Sequence, residues 1–449
     1  MGHQLSAVIV IPTRNRASLA QTAAKSVLAE KSLDLSVIIS DNSTEEDQSA
    51  ALRHFCDTCE DARLHYVRPP AEMSMTDHWD WVMVEILSRF PNASHVTYLT
   101  DRTVFKPGGL RDILEVAAKY PDSVISHTTD VVDDETLPAR VIQEPWTGKV
   151  FLLNSQFILW QNSRCEFRYY MPRMLNCMVP RTVMEALKDR FGGYFASIAP
   201  DHNFCYRLLY LADSIIYYDK AIHINYARNR SNGMSQQRGV PNKDNRDFNA
   251  SMPNGKLLLD LAPIPEITGT GNVNIYEYRF VQIETGSPKL PAIDMPKYLD
   301  RMAYEMRFLK NPEARAACER LLREHGWHPA ERPSNSITGL EQCDDSSRLP
   351  VGARAIGRAL IEKAINLVPP PGLVPAFKLL PASLGAGRWW FWQSDRALEW
   401  ALRLDRPRDD RNIYLEDSES ANEFIRQCPG SITVIPGPES SSNKEKVGV

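Results

Sequence analysis

A few short stretches of the chain concentrate side chains able to bind anions or move protons. Pro12-Thr13-Arg14-Asn15-Arg16 offers a hydroxyl, guanidinium groups and an amide near a helix start, donors suited to a diphosphate or a base edge. Ser40-Asp41-Asn42-Ser43-Thr44 adds a carboxylate able to accept from a base N–H or a ribose hydroxyl. Ser43 and Thr44 equally read as caps of the next helix. Thr100-Asp101-Arg102-Thr103 ends an apolar run with an acid, which is costly to bury unless paired or bound to a cation. Pro200-Asp201 opens a helical pattern. A helix N-terminus keeps a carboxylate ionised, as a general base requires, and the same pattern also suits a plain cap. Farther on, His223, Arg228 and Arg230 lie close together in sequence.

These stretches fall where a repeated pattern of elements places them. The spacing predicts strands at 7–11, 35–39, 64–67, 95–100 and 123–126, each a short β-rich apolar run. Helical patterns follow at 17–30, 44–58, 77–89 and 109–120. This β-α-β-α order predicts an α/β fold, a mainly parallel sheet sandwiched by helices. Ligands bind such sheets at the carboxyl ends of the strands, which is where the first three stretches fall. Beyond residue 130 the alternation fades. Residues 138–180 read as extended and loop-rich, with helices at 181–190 and 200–211. The polar stretch 229–254 reads as a mobile loop, and 296–310 and 312–325 as amphipathic helices.

Composition narrows the function classes. The 449 residues carry 52 Lys+Arg against 56 Asp+Glu, a net charge of −4, which argues against a nucleic-acid polymer as partner. The 8 cysteines have neither disulfide-framework nor zinc spacing, Cys56-x-x-Cys59 being an isolated pair, so they read as reduced thiols. The start MGHQLSAVIVIPTRN lacks the pattern of a signal peptide, and no window matches a membrane span, so the expected location is cytoplasmic. A dinucleotide-binding G-x-G-x-x-G is excluded, because no glycine stands between Gly2 and Gly108. At roughly 150 residues per domain the length allows about three domain equivalents.

Taken together, VIVIPTRNR, VIISDNSTEED and YLTDRTVFKPGGL resemble the family 2 glycosyltransferases of GT-A fold. Met73–Trp79 (MSMTDHW) resembles that family's M-x-x-N-W element with His78 in the Asn place, and Gly192–His202 its second signature. The resemblance spans about residues 5 to 235. It implies an inverting transfer from a nucleotide-diphosphate sugar, UDP-linked by preference, to the hydroxyl of a glycan or lipid-linked acceptor. It assigns Asp201 as catalytic base, and Pro12, Thr13, Arg14, Asn15, Asp41, Asp101, Arg102 and Arg228 to the nucleotide. It further implies a divalent cation, Mg²⁺ or Mn²⁺, held by Asp101 with His223. Asp101-Arg102-Thr103 departs from the family's D-x-D in its last residue, and Arg102 offers an alternative neutraliser of the phosphates. The weakened motif also leaves open a non-catalytic sugar-nucleotide-binding or scaffold protein.

The expected organisation is a transferase domain over 1–255, a helical extension over 256–330, a helical and aromatic appendage over 331–428 and a disordered tail over 429–449. Arg388-Trp389-Trp390-Phe391-Trp392, preceded by Arg354, Arg358, Lys363 and Lys378, suits a membrane interface at the inner face of the cell membrane. Packing within the appendage, or a homodimer contact, are the alternatives.

Overall fold

The run AVIVIPT buries all seven of its residues, so both faces of its strand must be covered. In the computed structural model this strand is β1 (Ala7–Thr13). The structure describes residues 5–31, 33–134, 139–143, 146–250, 257–328, 388–391, 394–403, 415 and 418–438. Alternation divides the strand's side chains. Val8 and Val10 enter one core with Trp79, Val82 and Met83, while Ala7, Ile9 and Ile11 enter a second with Ala20, Ala23, Ala24 and Val27.

The first half builds α1 (Ala17–Leu28), β2 (Leu35–Asp41), α2 (Glu46–Thr58), β3 (Leu64–Val67), α3 (Met75–Arg89), β4 (His95–Tyr98), β5 (Thr103–Phe105), α4 (Gly109–Lys119) and β6 (Ile125–Asp133). There follow β7 (Ala139–Ile142), β8 (Val150–Asn154), α5 (Ser155–Ser163), β9 (Cys177–Pro180), α6 (Arg181–Phe191), α7 (Pro200–Leu211) and β10 (Ser214–Asn225). Then come α8 (Asn232–Arg238), α9 (Lys243–Ala250), α10 (Thr270–Thr285), α11 (Met295–Glu305), α12 (Pro312–Glu324), β11 (Arg388–Phe391), α13 (Ser394–Arg403), α14 (Glu419–Gln427) and β12 (Ile432–Ile435).

Among the described residues the strands form one sheet in the order β12-β8-β10-β6-β9-β4-β1-β2-β3, with β5 on β10, β7 on β6 and β11 on β7. β4-β1-β2-β3 is wholly parallel, and β6 and β10 are also parallel to each other. β9 crosses between these two groups antiparallel. The α/β fold expected from the alternation is present, with helices on both faces.

The expected C-terminal helical part is present in α13 and α14, and three local expectations are corrected. Residues 432–435 of the expected tail form β12, which pairs with β8, and Tyr120 and Lys119 of the α4 end donate to the carbonyls of Pro436 and Gly437 at 2.7 and 3.0 Å. Residues 388–391 of the expected helical appendage form β11, an antiparallel partner of β7, so backbone pairing claims that segment. Trp392, Arg354, Arg358, Lys363 and Lys378 lie outside the described residues. The polar stretch after 229 also holds two short helices, α8 and α9, where a loop was expected.

The Pro107-Gly108-Gly109 turn shows why glycines stand there. Gly108 has φ +77°, and a Cβ on Gly109 would collide with the carbonyl oxygen of Ile222 in β10. The Gly109→Ala variant is expected to lose about 1–3 kcal/mol of stability, the usual cost of overpacking, read from the urea midpoint.

Candidate functional site

The ends of β1, β2 and β4 lie side by side because β1 pairs with both neighbours; Thr13 stands opposite Asp41 in the register. Asn15 stitches the first two ends together. It adopts φ +54°, its side-chain carbonyl accepts from Thr44 N and Glu45 N at 2.9 and 3.0 Å, and its own amide donates to Ser43 Oγ at 2.9 Å. Asn15 thus caps the loop entering α2. Arg14 reaches the α3 approach, donating to Met73 O at 3.4 Å and pairing with Glu72. Asn42 binds the same residue through its backbone in both directions, at 2.9 and 3.1 Å. His78 closes against Ser40 Oγ at 2.7 Å, and burial holds it down to about 4, so it is neutral.

Asp41 is fully buried. Its oxygens accept from Ser43 N at 2.9 Å and the Tyr66 hydroxyl at 2.8 Å. These hydrogen bonds, with Ser49, outweigh burial and hold its carboxyl below the usual range. Asp41 thus shapes the second strand end, and with Ser43 N on one oxygen and the Tyr66 hydroxyl on the other it keeps lone pairs for the nucleoside contact expected of it.

Asp101 is the centre of the site. Its carboxylate is buried and accepts from Thr13 Oγ1 at 2.9 Å and from Arg16 Nη1 at 3.1 Å. Arg16 also faces Asp244 of α9, with Nε 3.5 Å from Oδ1. Against the cost of burial, these two carboxylates raise the affinity of Arg16 for its proton. Arg230 grips the other side of Asp244 at 2.7 and 3.2 Å and reaches Asn15 O at 3.4 Å. Arg102 is pushed down to about 10, by burial first and also by Arg16 and Arg228, so three guanidiniums converge here. Among the described residues the Nε atoms of Arg14 and Arg102 are buried without a hydrogen-bond partner. Asp134 fixes the approach of Arg228 by accepting from the backbone amides of Ala227 and Arg228 at 3.1 and 2.7 Å.

The residues present do not fit a divalent cation. Both oxygens of Asp101 are engaged, and His223 is buried beside His127 with Nε2 atoms 3.2 Å apart. The donors settle the tautomers. His127 Nδ1–H donates to Thr128 O at 3.0 Å, leaving its Nε2 to accept from His223 Nε2–H. His223 Nδ1 then faces Thr129 Oγ1 at 3.4 Å. Burial depresses both rings, His127 to about 4, so the pair is neutral. Among the described residues no three His, Cys, Asp or Glu side chains gather as a metal site. The structure thus places His223 against His127 and Thr129, with both its ring nitrogens engaged.

Asp201 stands in the first turn of α7, with its carboxylate 4.0 Å from His202 Nε2. The loop before it is pinned from several sides. Asp80 of α3 accepts from Tyr194 N and Phe195 N at 2.6 and 3.0 Å, and a Cβ on Gly193 would come within 3.2 Å of the same carboxylate. Thr76 donates to Ser197 O at 2.7 Å, tying this loop to the α3 approach that Arg14 and Asn42 hold. Ser197 adopts φ +67°, a costly conformation that persists only when neighbours enforce it. The cap position itself is Ala199, which has no acceptor; Glu277 of α10 accepts from Ile198 N, Ala199 N and Asn203 Nδ2 at 3.1, 2.7 and 3.1 Å.

Sequence reasoning did not find Asp244, His127, Asp80 or Glu277. Their roles lie in contacts between distant segments, and the segment holding Glu277 carries no clean amphipathic stripe. The Asp101–Arg16 pair is nevertheless testable. Arg16→Met leaves a buried carboxylate without its ion partner, and the expected loss is about 3–5 kcal/mol in chemical denaturation.

No family model matches the sequence, and no curated protein matches it. Solved structures do resemble it. One is S. aureus TarS 1-349 in complex with UDP-GlcNAc, at TM-score 0.39 and 12% identity over 70% of this chain and 84% of that one. Another is the mannosyltransferase PcManGT from Pyrobaculum calidifontis in complex with GDP-Man and Mn2+, at 0.38 and 11% over 80% of each chain. Neither likeness assigns a role to any residue of this chain.

Proposed function

We propose that the chain is a glycosyltransferase that takes a sugar from a nucleotide-diphosphate donor, UDP-linked by preference, and inverts the anomeric carbon. The observation that carries this reading is the arginine cluster at the carboxyl ends of the strands. Arg16 is paired with the buried Asp101, Arg102 lies against Arg16 and Arg228, and the buried Nε atoms of Arg14 and Arg102 have no hydrogen-bond partner among the described residues. An anion with several oxygens satisfies such donors, whereas a neutral ligand leaves the mutual repulsion of the guanidiniums in place.

Arg102 and Arg228 neutralise the charge that develops on the departing diphosphate. Thr13 and Asp101 hold Arg16 in position, and Arg14 with the Asn15 loop borders the nucleoside side. Asp201 takes the proton of the acceptor hydroxyl as its oxygen attacks the sugar C1. The bond from C1 to the diphosphate oxygen breaks in the same displacement, and its electron pair leaves with the nucleoside diphosphate. Its place in the first turn of α7 suits a carboxylate in that role.

The alternative of a sugar-nucleotide-binding scaffold shares the arginine cluster and lacks turnover. A panel of nucleotide sugars, assayed for hydrolysis and transfer with and without EDTA, separates the two. We expect turnover that survives the chelator, loss of transfer in Asp201→Asn, and unchanged UDP affinity in that variant by calorimetry. Turnover at the wild-type rate in Asp201→Asn rules out the base; UDP binding without any turnover across the panel favours the scaffold.

A further inference from the structure

We infer that Glu277 is a positioning residue for the base, so that the segment 257–328 belongs to the catalytic machinery. Resting on the reading of Asp201 given above, it holds α7 by the end from which that residue projects. A helix start leaves backbone amides unbonded, and a side chain at the cap position ordinarily accepts them. Ala199 cannot. Glu277, on a helix 78 residues away, fixes instead the residues just before the helix, accepting from the amides of Ile198 and Ala199 and from Asn203 Nδ2 one turn into α7. Ser197, at φ +67°, and the two residues after it separate the pinned loop from the helix, and Glu277 bonds the amides of those two, Ile198 and Ala199.

The carboxyl is wholly buried. Burial pushes it up to about 8, although the amides of Ala199 and Ile198 and the Asn203 side chain pull the other way. The titratable groups facing it are the phenols of Tyr206 on α7 and Tyr276 on α10, both themselves raised by burial and so neutral. A carboxyl placed at that cost is held for its geometry, since hydrogen bonding alone is available from any polar residue. Glu277 is itself held by a second cap. Glu305 of α11 accepts from Gly271 N at 2.8 Å at the start of α10, and a Cβ on Gly271 would collide with that carboxylate. Arg301 fixes Glu305 from one turn before, at 2.9 Å. The order α11, α10, α7, Asp201 is thus a chain of helix starts, each held by the next helix.

The test compares full-length Glu277→Ala, Glu277→Gln and Asp201→Asn. Truncation to Ala frees the start of α7, and kcat is expected to fall about 10²-fold, the scale of a misplacement near 1 Å, with UDP affinity unchanged. Glu277→Gln restores most of kcat. Its carbonyl accepts the same two amides, and Asn203, whose Oδ1 has no hydrogen-bond partner among the described residues, turns over to receive its NH2. A second readout concerns pH. The folded carboxyl ionises near 8 against an ordinary 4.5, so the folded state alone holds this proton in between. Stability on this account is greatest below about 4.5 and falls as pH rises to about 8; Glu277→Gln flattens that slope in a series of Tm measurements.

Should Glu277→Ala fail to fold, Glu277→Asp takes its place; it keeps the carboxyl, draws it back by one methylene and is expected to lower kcat likewise. Wild-type kcat in the Ala or Asp variant, alongside an inactive Asp201→Asn, overturns the positioning role and leaves the base assignment standing. Loss of kcat in Glu277→Gln equal to that in Ala also overturns it. Full activity in Asp201→Asn fails the base reading itself.

Discussion

A carboxylate at the inner end of a parallel strand must be neutralised where it stands, and Arg16 does this for Asp101. The contacts at the ends of β1 and β4 follow from that pair. Arg16 begins the turn into α1, so neutralising Asp101 ties the end of β1 to the end of β4. Thr13 adds the second bond from the last residue of β1. The far side of the same guanidinium then draws in Asp244, and with it α9 and Arg230. Removing the pair would cost more than one salt bridge, because three segments share it.

The other half of the site is organised by helix ends. The loop from 192 to 199 has few bonds of its own, and its conformation is supplied by Asp80, Thr76 and Glu277 from two different helices. Thr76 lies in the first turn of α3, just beyond Met73, which binds Arg14 and Asn42. The arginine cluster and the start of α7 are therefore joined through one short segment, Met73 to Thr76. A shift of the α3 approach moves both together, which is what a reaction between a bound anion and a base-activated hydroxyl needs.

What the sequence makes legible is whatever depends on local pattern. β1, β2 and β4 read as buried runs because both their faces are covered, and α7 reads from Pro200 and its first-turn acid. Thr13, Asp101 and Arg102 could be singled out because polar residues at buried strand ends are costly. Partnership was not legible. Nothing in the pattern shows that Tyr66 and Ser43 bond Asp41, or that His223 is bonded to His127. The helix α10 escaped notice for a physical reason. It is buried on several sides and carries Asn272, Asn274 and Glu277 inside, so no polar stripe marks its outer face. The strands β11 and β12 escaped for another: each is short and finds its partner far back in the chain.

The charges of the site also explain why arginine, and not a metal, suits it. A divalent cation needs several free anionic oxygens at one point. Here the carboxylates have been distributed instead: Asp101 to Arg16, Asp133 towards Arg228 and Arg140, Asp134 to the backbone at 227–228, and Asp244 to Arg16 and Arg230. Each of these guanidiniums is thereby held in place, and these four carboxylates are engaged with arginines or backbone amides. Of these acids Asp101 and Asp133 sit on or beside strands, whereas Asp244 alone stands on a short helix whose hold on the sheet runs through the same arginines. An anion arriving at Arg16 therefore competes with Asp244 before it competes with anything in the sheet.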